Sequence, residues 1–145
     1  MITLDYILDP APNDAEANLA EVDELRLRYD CFPGDVVFVV GAVDLSARWG
    51  WVPILDFAVG IKQIADGLGG EDRFEFTESD ATIAFHRDGD LVRVSADYVP
   101  DSAVVPLAEL QTATDVFLRR VVADLTSRHP ELAENTYVAR LGLSS

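Results

Sequence analysis

Between positions 107 and 125 the residues Leu107, Leu110, Thr114, Phe117, Val121 and Leu125 recur every three or four places, with Leu118 and Val122 alongside. That spacing lays one nearly unbroken apolar stripe along an α-helix and leaves the opposite side charged. A second stripe precedes it: Ile54, Phe57, Ala58, Ile61, Ile64, Ala65 and Leu68, with Asp56, Lys62, Gln63 and Asp66 on the other side. Pro53 and Pro106 suit helix starts, where a missing N–H costs nothing. Gly67 and Gly69-Gly70 predict a left-handed glycine cap for the first helix, and Pro130 predicts the end of the second. Each helix is apolar on one side only, so each must lie on something else.

The something else is sheet. Ile2–Leu8 alternates apolar and polar residues before Asp9-Pro10 breaks the pattern. Residues 14–21 predict a short helical turn, and the alternation of 24–30 puts Leu25, Leu27 and Tyr29 on one face of a strand. Phe32-Pro33-Gly34-Asp35 reads as a turn, and the β-branched run from Val36 to Val40 reads as a central strand. Three further alternating segments, 73–77, 81–86 and 91–96, predict a meander with Asp88-Gly89 in a tight hairpin. The economical fold is α+β: a two-layer arrangement with one largely antiparallel sheet of about five or six strands and both helices on one face. No linker, repeat or composition break interrupts the 145 residues, so residues 1–145 are expected to be one domain.

Charge narrows the function. There are 26 acidic residues against 11 basic ones, a net charge of −15. Nucleic-acid binding needs clustered cations to displace counterions from phosphate, and here only Arg119 and Arg120 are adjacent, so nucleic acid is excluded as a partner. An anionic membrane surface is excluded on the same ground, and no apolar stretch approaches the ~20 residues of a transmembrane helix. Cys31 is the single cysteine and the start lacks a signal-peptide pattern, which together predict a cytoplasmic location. Such an excess of anions steers a molecule towards cationic surfaces.

Chemistry is harder to find. Gly67-Leu68-Gly69-Gly70 follows a helix rather than a strand and lacks the Lys-Ser/Thr pair of a phosphate loop. His86 and His129 are far apart, and Asp88-Gly89-Asp90 lacks the ligand pattern of a calcium loop. There is no nucleophile elbow, and Cys31 reads as a small buried residue. No catalytic residue, metal ligand or cofactor is expected.

Two features remain. Trp49-Gly50-Trp51 reads as a loop into the first helix, where the indoles either staple the helix entry or serve as contact anchors. The acidic residues are densest from Asp14 to Asp30 and from Glu71 to Asp80. The expected contact set for a basic protein partner is therefore Trp49, Trp51, Glu71, Asp72, Glu75, Glu78 and Asp80. Two other readings stay open: a small-ligand or enzyme pocket between sheet and helices containing Trp51, Tyr98 or His86, and a homo-oligomeric scaffold joined through Val36 to Val43.

From Phe74 onwards the order of motifs is Phe-Glu-Phe-Thr-Glu, Ile83-Ala84-Phe85, Asp88-Gly89-Asp90-Leu91-Val92-Arg93-Val94, Val105-Pro106-Leu107-Ala108-Glu109-Leu110, and His129-Pro130-Glu131-Leu132. This half of the chain resembles small acidic bacterial proteins of unknown function, some of which look like immunity proteins of polymorphic toxin systems. The resemblance implies a protein that neutralises a toxin by binding it, and it assigns no functional residue.

Overall fold

The computed structural model describes residues 2–8, 33–76, 80–135 and 137–138. Strand β1 is Ile2–Leu8 and β2 is Pro33–Val40, followed by β3 (Val43–Asp44), β4 (Ala47–Pro53) and helix α1 (Ile54–Gly67). Strands β5 (Glu71–Glu75), β6 (Thr82–Asp88), β7 (Leu91–Ala96) and β8 (Ser102–Pro106) come next. Helix α2 (Leu107–Arg128) and a 3₁₀ turn (Pro130–Glu134) complete the order. The chain adopts the expected α+β class, with its strands divided between two antiparallel sheets. The predicted turn at 14–21, the predicted strand at 24–30 and Cys31 lie outside the described residues.

In the first sheet β2 is central. It pairs with β1 from Ile2 opposite Val40 to Leu8 opposite Gly34, and on its other side with β3 and β4. Val36, Phe38 and Val40 are completely buried, so this half of the apolar run is used inside the chain rather than offered to a second subunit. The turn expected at residues 32–35 is not there, because β2 already begins at Pro33. A Cβ on Gly34 would sit 2.1 Å from the carbonyl oxygen of Ile7, so glycine serves here for close strand approach rather than for a bend.

The second sheet is the meander, β5-β6-β7-β8 in sequence order. Gly89, at φ 63°, makes the expected tight hairpin between β6 and β7. Its strands alternate as the sequence does: Phe74, Ile83, Phe85, Val92, Val94 and Val105 face the core.

Both helices pack on each other and reach both sheets. Every residue of the two predicted stripes is buried. At the centre the ring of Phe57 on α1 meets Phe38 of β2 at 6.2 Å, Phe74 of β5 at 5.2 Å and Phe117 of α2 at 6.2 Å, all edge-on. One side chain thus ties both sheets and the second helix together, in the edge-to-face geometry that ring quadrupoles favour.

Two local expectations for α1 are corrected. Asp56, expected on the solvent side, is only 4% exposed, because Leu55 and Val59 are buried as well and the first two turns are enclosed nearly all round. The helix also has no left-handed glycine cap: Gly67 is its last residue and Leu68 follows at φ −71°, ψ 107°. Side chains do the capping instead. Arg87 donates from Nη1 to the Leu68 carbonyl at 2.8 Å, and Gln111 donates from Nε2 to the Ala65 carbonyl at 3.2 Å. Carbonyls that a helix end leaves without intrahelical partners are satisfied from β6 and α2. No helix among the described residues is long and apolar enough to cross a membrane.

Candidate functional site

The tryptophan segment is strand, not loop. Gly34 of β2 faces Val52 of β4, and two residues on, Val36 faces Ala47. The single residue Asp35 therefore spans what Arg48-Trp49-Gly50-Trp51 span on β4. This bulge puts four residues opposite one, and bulges re-aim side chains that a regular ladder would fix in alternation.

The bulge carries Trp49 onto an aromatic ledge. Its ring lies edge-on to Phe76 at 5.1 Å and to Tyr98 at 5.3 Å, and those two are 6.1 Å apart. Phe76 in turn stacks on Phe57 at 6.1 Å and 15°, which roots the ledge in the core. Tyr98 is fixed at its far end, where its hydroxyl donates to the Leu45 carbonyl at 2.7 Å. Even so, Trp49 keeps 36% of its surface exposed. The ring is both supported and accessible.

Two carboxylates lie near this ledge. Burial, and then the charges of Asp97 and Asp44, push the Tyr98 hydroxyl above its ordinary range, which places both acids within electrostatic reach of the ring. Hydrogen bonds from Ser46, the backbone one at 2.9 Å, hold Asp44 below the usual carboxylate range, with Arg48 a lesser influence at 3.4 Å. Asp97 accepts the Thr82 backbone N–H at 3.0 Å. Asp80 immediately precedes Ala81, whose carbonyl accepts the Phe76 N–H at 3.1 Å, whereas Glu75 lies on the opposite face of β5 from Phe74 and pairs with Arg73 at 3.8 Å. Among the described residues neither Asp80 nor Asp97 has an arginine or lysine partner.

The expected contact residues thus separate into groups. Trp49 and Asp80 lie at one end of the meander, and Glu75 is on the outer face of that end, beside Arg73. Glu71 and Asp72 are exposed at the other end of β5, where Glu71 lies 3.9 Å from His86 on the outer sheet face. The side chain of Trp51, and Glu78 altogether, fall outside the described residues. His86 and Tyr98, weighed together as pocket residues, do not converge: His86 projects from the outer face and Tyr98 packs on Trp49. Asp44, Phe76 and Asp97 belong to the ledge and were not singled out from sequence. Their pairing partners are remote in the chain, and no local pattern signals them. No group of three or more histidine, cysteine, aspartate or glutamate side chains among the described residues is arranged to hold a metal ion.

No family model, curated protein or solved structure matches the chain.

Proposed function

We propose that the protein acts by binding a basic protein partner, in the manner of an immunity protein on a cationic toxin, with Trp49 as the anchor of the contact. The observation that carries this reading is the ledge itself. A tryptophan held edge-on by two other rings loses little conformational freedom on binding, and such residues dominate interface energetics. The neighbouring Asp44, Asp80 and Asp97 favour lysine or arginine side chains over the ring face, where cation–π attraction adds to charge pairing. The net charge of −15 supplies long-range attraction that speeds encounter with a cationic surface.

The test uses the protein encoded next to this one. If that product is a basic toxin, co-production should protect cells, and purified complex formation should slow by about tenfold or more between low and high salt. Trp49→Ala, and the pair Asp80→Lys with Asp97→Lys, should each weaken binding by about tenfold or more. Salt-insensitive binding that tolerates all of these substitutions rejects the ledge as the contact, and a neighbour that is not a toxin rejects the immunity role.

A further inference from the structure

Among the described residues the two sheets end at β1, at β3 and β4, at β8 and at β5; the bulge interrupts β4, and the other three edges are not alike. On β1, whose odd-numbered residues bond to β2, the outward groups are plugged. The Leu4 carbonyl accepts Arg120 Nη2 at 2.7 Å, and the Tyr6 N–H is taken by Asp5 Oδ1 at 2.8 Å. Arg120 also holds that same Asp5 oxygen at 3.2 Å. Strand β8 carries no charge from Ser102 to Val105 and ends in Pro106, which has no N–H to offer.

Strand β5 differs from both. Bonds from Arg87 N–H to the Gly70 carbonyl and from Phe76 N–H to the Ala81 carbonyl show that its even-numbered residues face β6. The backbone groups of Glu71, Arg73 and Glu75 therefore point away from the sheet. Among the described residues only the Arg73 N–H has a partner, the neighbouring Asp72 carboxylate at 2.8 Å. Beside this edge runs an open cleft of about 360 Å³ between β5 and α1, whose rim carries Asp72, Glu75 and the single cation Arg73, with Gly60, Gln63 and Phe74 along its walls. The helix does not cover the edge.

We infer that the β5 edge accepts an extended segment of the partner as an added strand, with lysine or arginine at alternate positions. This rests on the reading above that the partner is cationic, and it adds the mode of recognition. Strand addition supplies affinity through main-chain hydrogen bonds and specificity through alternate side chains. The side chains that an added strand turns inward would meet Asp72 at the mouth of the cleft, and those turned outward would meet Glu71 and Glu75, which flank Arg73. The incoming carbonyl replaces the Asp72 carboxylate on the Arg73 N–H, which releases Asp72 to a basic side chain. The edge leads towards Phe76, so the same segment continues onto the Trp49 ledge.

The experiment uses a twelve-residue peptide alternating lysine and threonine, labelled and titrated by fluorescence anisotropy at low salt. Arg73→Gln and Arg73→Pro both remove one positive charge, but only proline removes the outward N–H, at a position where an edge strand tolerates it. Strand addition predicts that Arg73→Gln binds at least as tightly as the parent and that Arg73→Pro binds about tenfold more weakly. Equal binding by the two variants, or no binding of the peptide to the parent, overturns strand addition. Should Arg73→Pro fail to fold, the parent is titrated with peptides N-methylated on one or the other alternate set of amides. Loss with one set alone upholds the proposal, and equal effects overturn it. The cationic-partner reading is decided separately, by the Trp49→Ala and salt measurements on the whole partner.

Discussion

The phenol of Tyr6 on β1 donates to the carboxylate of Asp124 on α2, joining residues 118 positions apart. The same ring lies edge-on to Phe117 at 6.0 Å, and Arg128 approaches Asp124 from the next helical turn at 3.2 Å. A strand from the beginning of the chain is thereby fastened to its longest helix.

That bond predicts a pH dependence. The Tyr6 hydrogen bond, ahead of Arg128, holds Asp124 below the usual carboxylate range. Its contribution is complete above about pH 3.9, the unfolded value, and is lost as pH falls through the lower folded value. Burial, and then Asp124, push the Tyr6 hydroxyl up, so its contribution is complete below about pH 10 and is lost as pH rises through the higher folded value. Tyr6→Phe keeps the ring contact and removes the bond. It should cost about 1–2 kcal/mol at pH 7 and flatten the acid limb of stability measured by urea unfolding from pH 2.5 to 7. Parallel curves for parent and variant would refute the coupling.

Phe57 should be the most costly single truncation in the core. It is fully buried and touches rings from both sheets and from α2. Phe57→Ala is expected to lose about 3–5 kcal/mol and Phe57→Leu clearly less, both read by denaturant titration. A loss under about 1 kcal/mol for the alanine variant would mean that the core closes around the gap.

Two glycines should respond oppositely to alanine. At Gly34 the new methyl group meets the Ile7 backbone oxygen at 2.1 Å, and neither strand can yield without breaking the ladder. Gly69 has nothing within 4 Å of the added atom and no positive φ. Gly34→Ala should lower the unfolding midpoint sharply, whereas Gly69→Ala should leave it unchanged or raise stability by about 0.4–1 kcal/mol. Thermal melts of the two variants side by side decide the point.

Arg87 should matter more than an ordinary surface arginine on a strand. Its guanidinium donates to the Leu68 carbonyl at the end of α1 and, through Nε, to the Gly89 carbonyl of the hairpin, each at 2.8 Å. Arg87→Met preserves the stem and strips both bonds. The expected loss is about 1–3 kcal/mol, with faster amide exchange in the last turn of α1. Exchange that is unchanged there would refute the capping role.

Periodicity made the two helices legible, because a 3.6-residue repeat sustained over several turns has few other solutions. Strands β6 and β7 were legible from alternation and from Asp88-Gly89. Three strands were not. Val43–Asp44 is two residues long, Ser102–Pro106 shows no alternation strong enough to separate it from a helix approach, and the bulge scrambles the pattern of Ala47–Pro53. Division into two sheets was also hidden, since pairing partners are set by contacts remote in sequence. Asp56 misled because its own helix turn looks amphipathic, whereas its burial comes from neighbours on other elements. Of the candidate site, Trp49 and Asp80 could be named in advance. Asp44, Phe76 and Asp97 join them only through folding.

The plug on β1 has a consequence for biosynthesis. Leu4 and Asp5 leave the ribosome well ahead of Arg120, which closes their edge and is made more than a hundred residues later. At the usual 5–20 residues per second, a nascent β1 already zipped to β2 shows raw backbone to the crowded cell for on the order of ten seconds. Until α2 emerges, β1 stays open to pairing with the wrong neighbour.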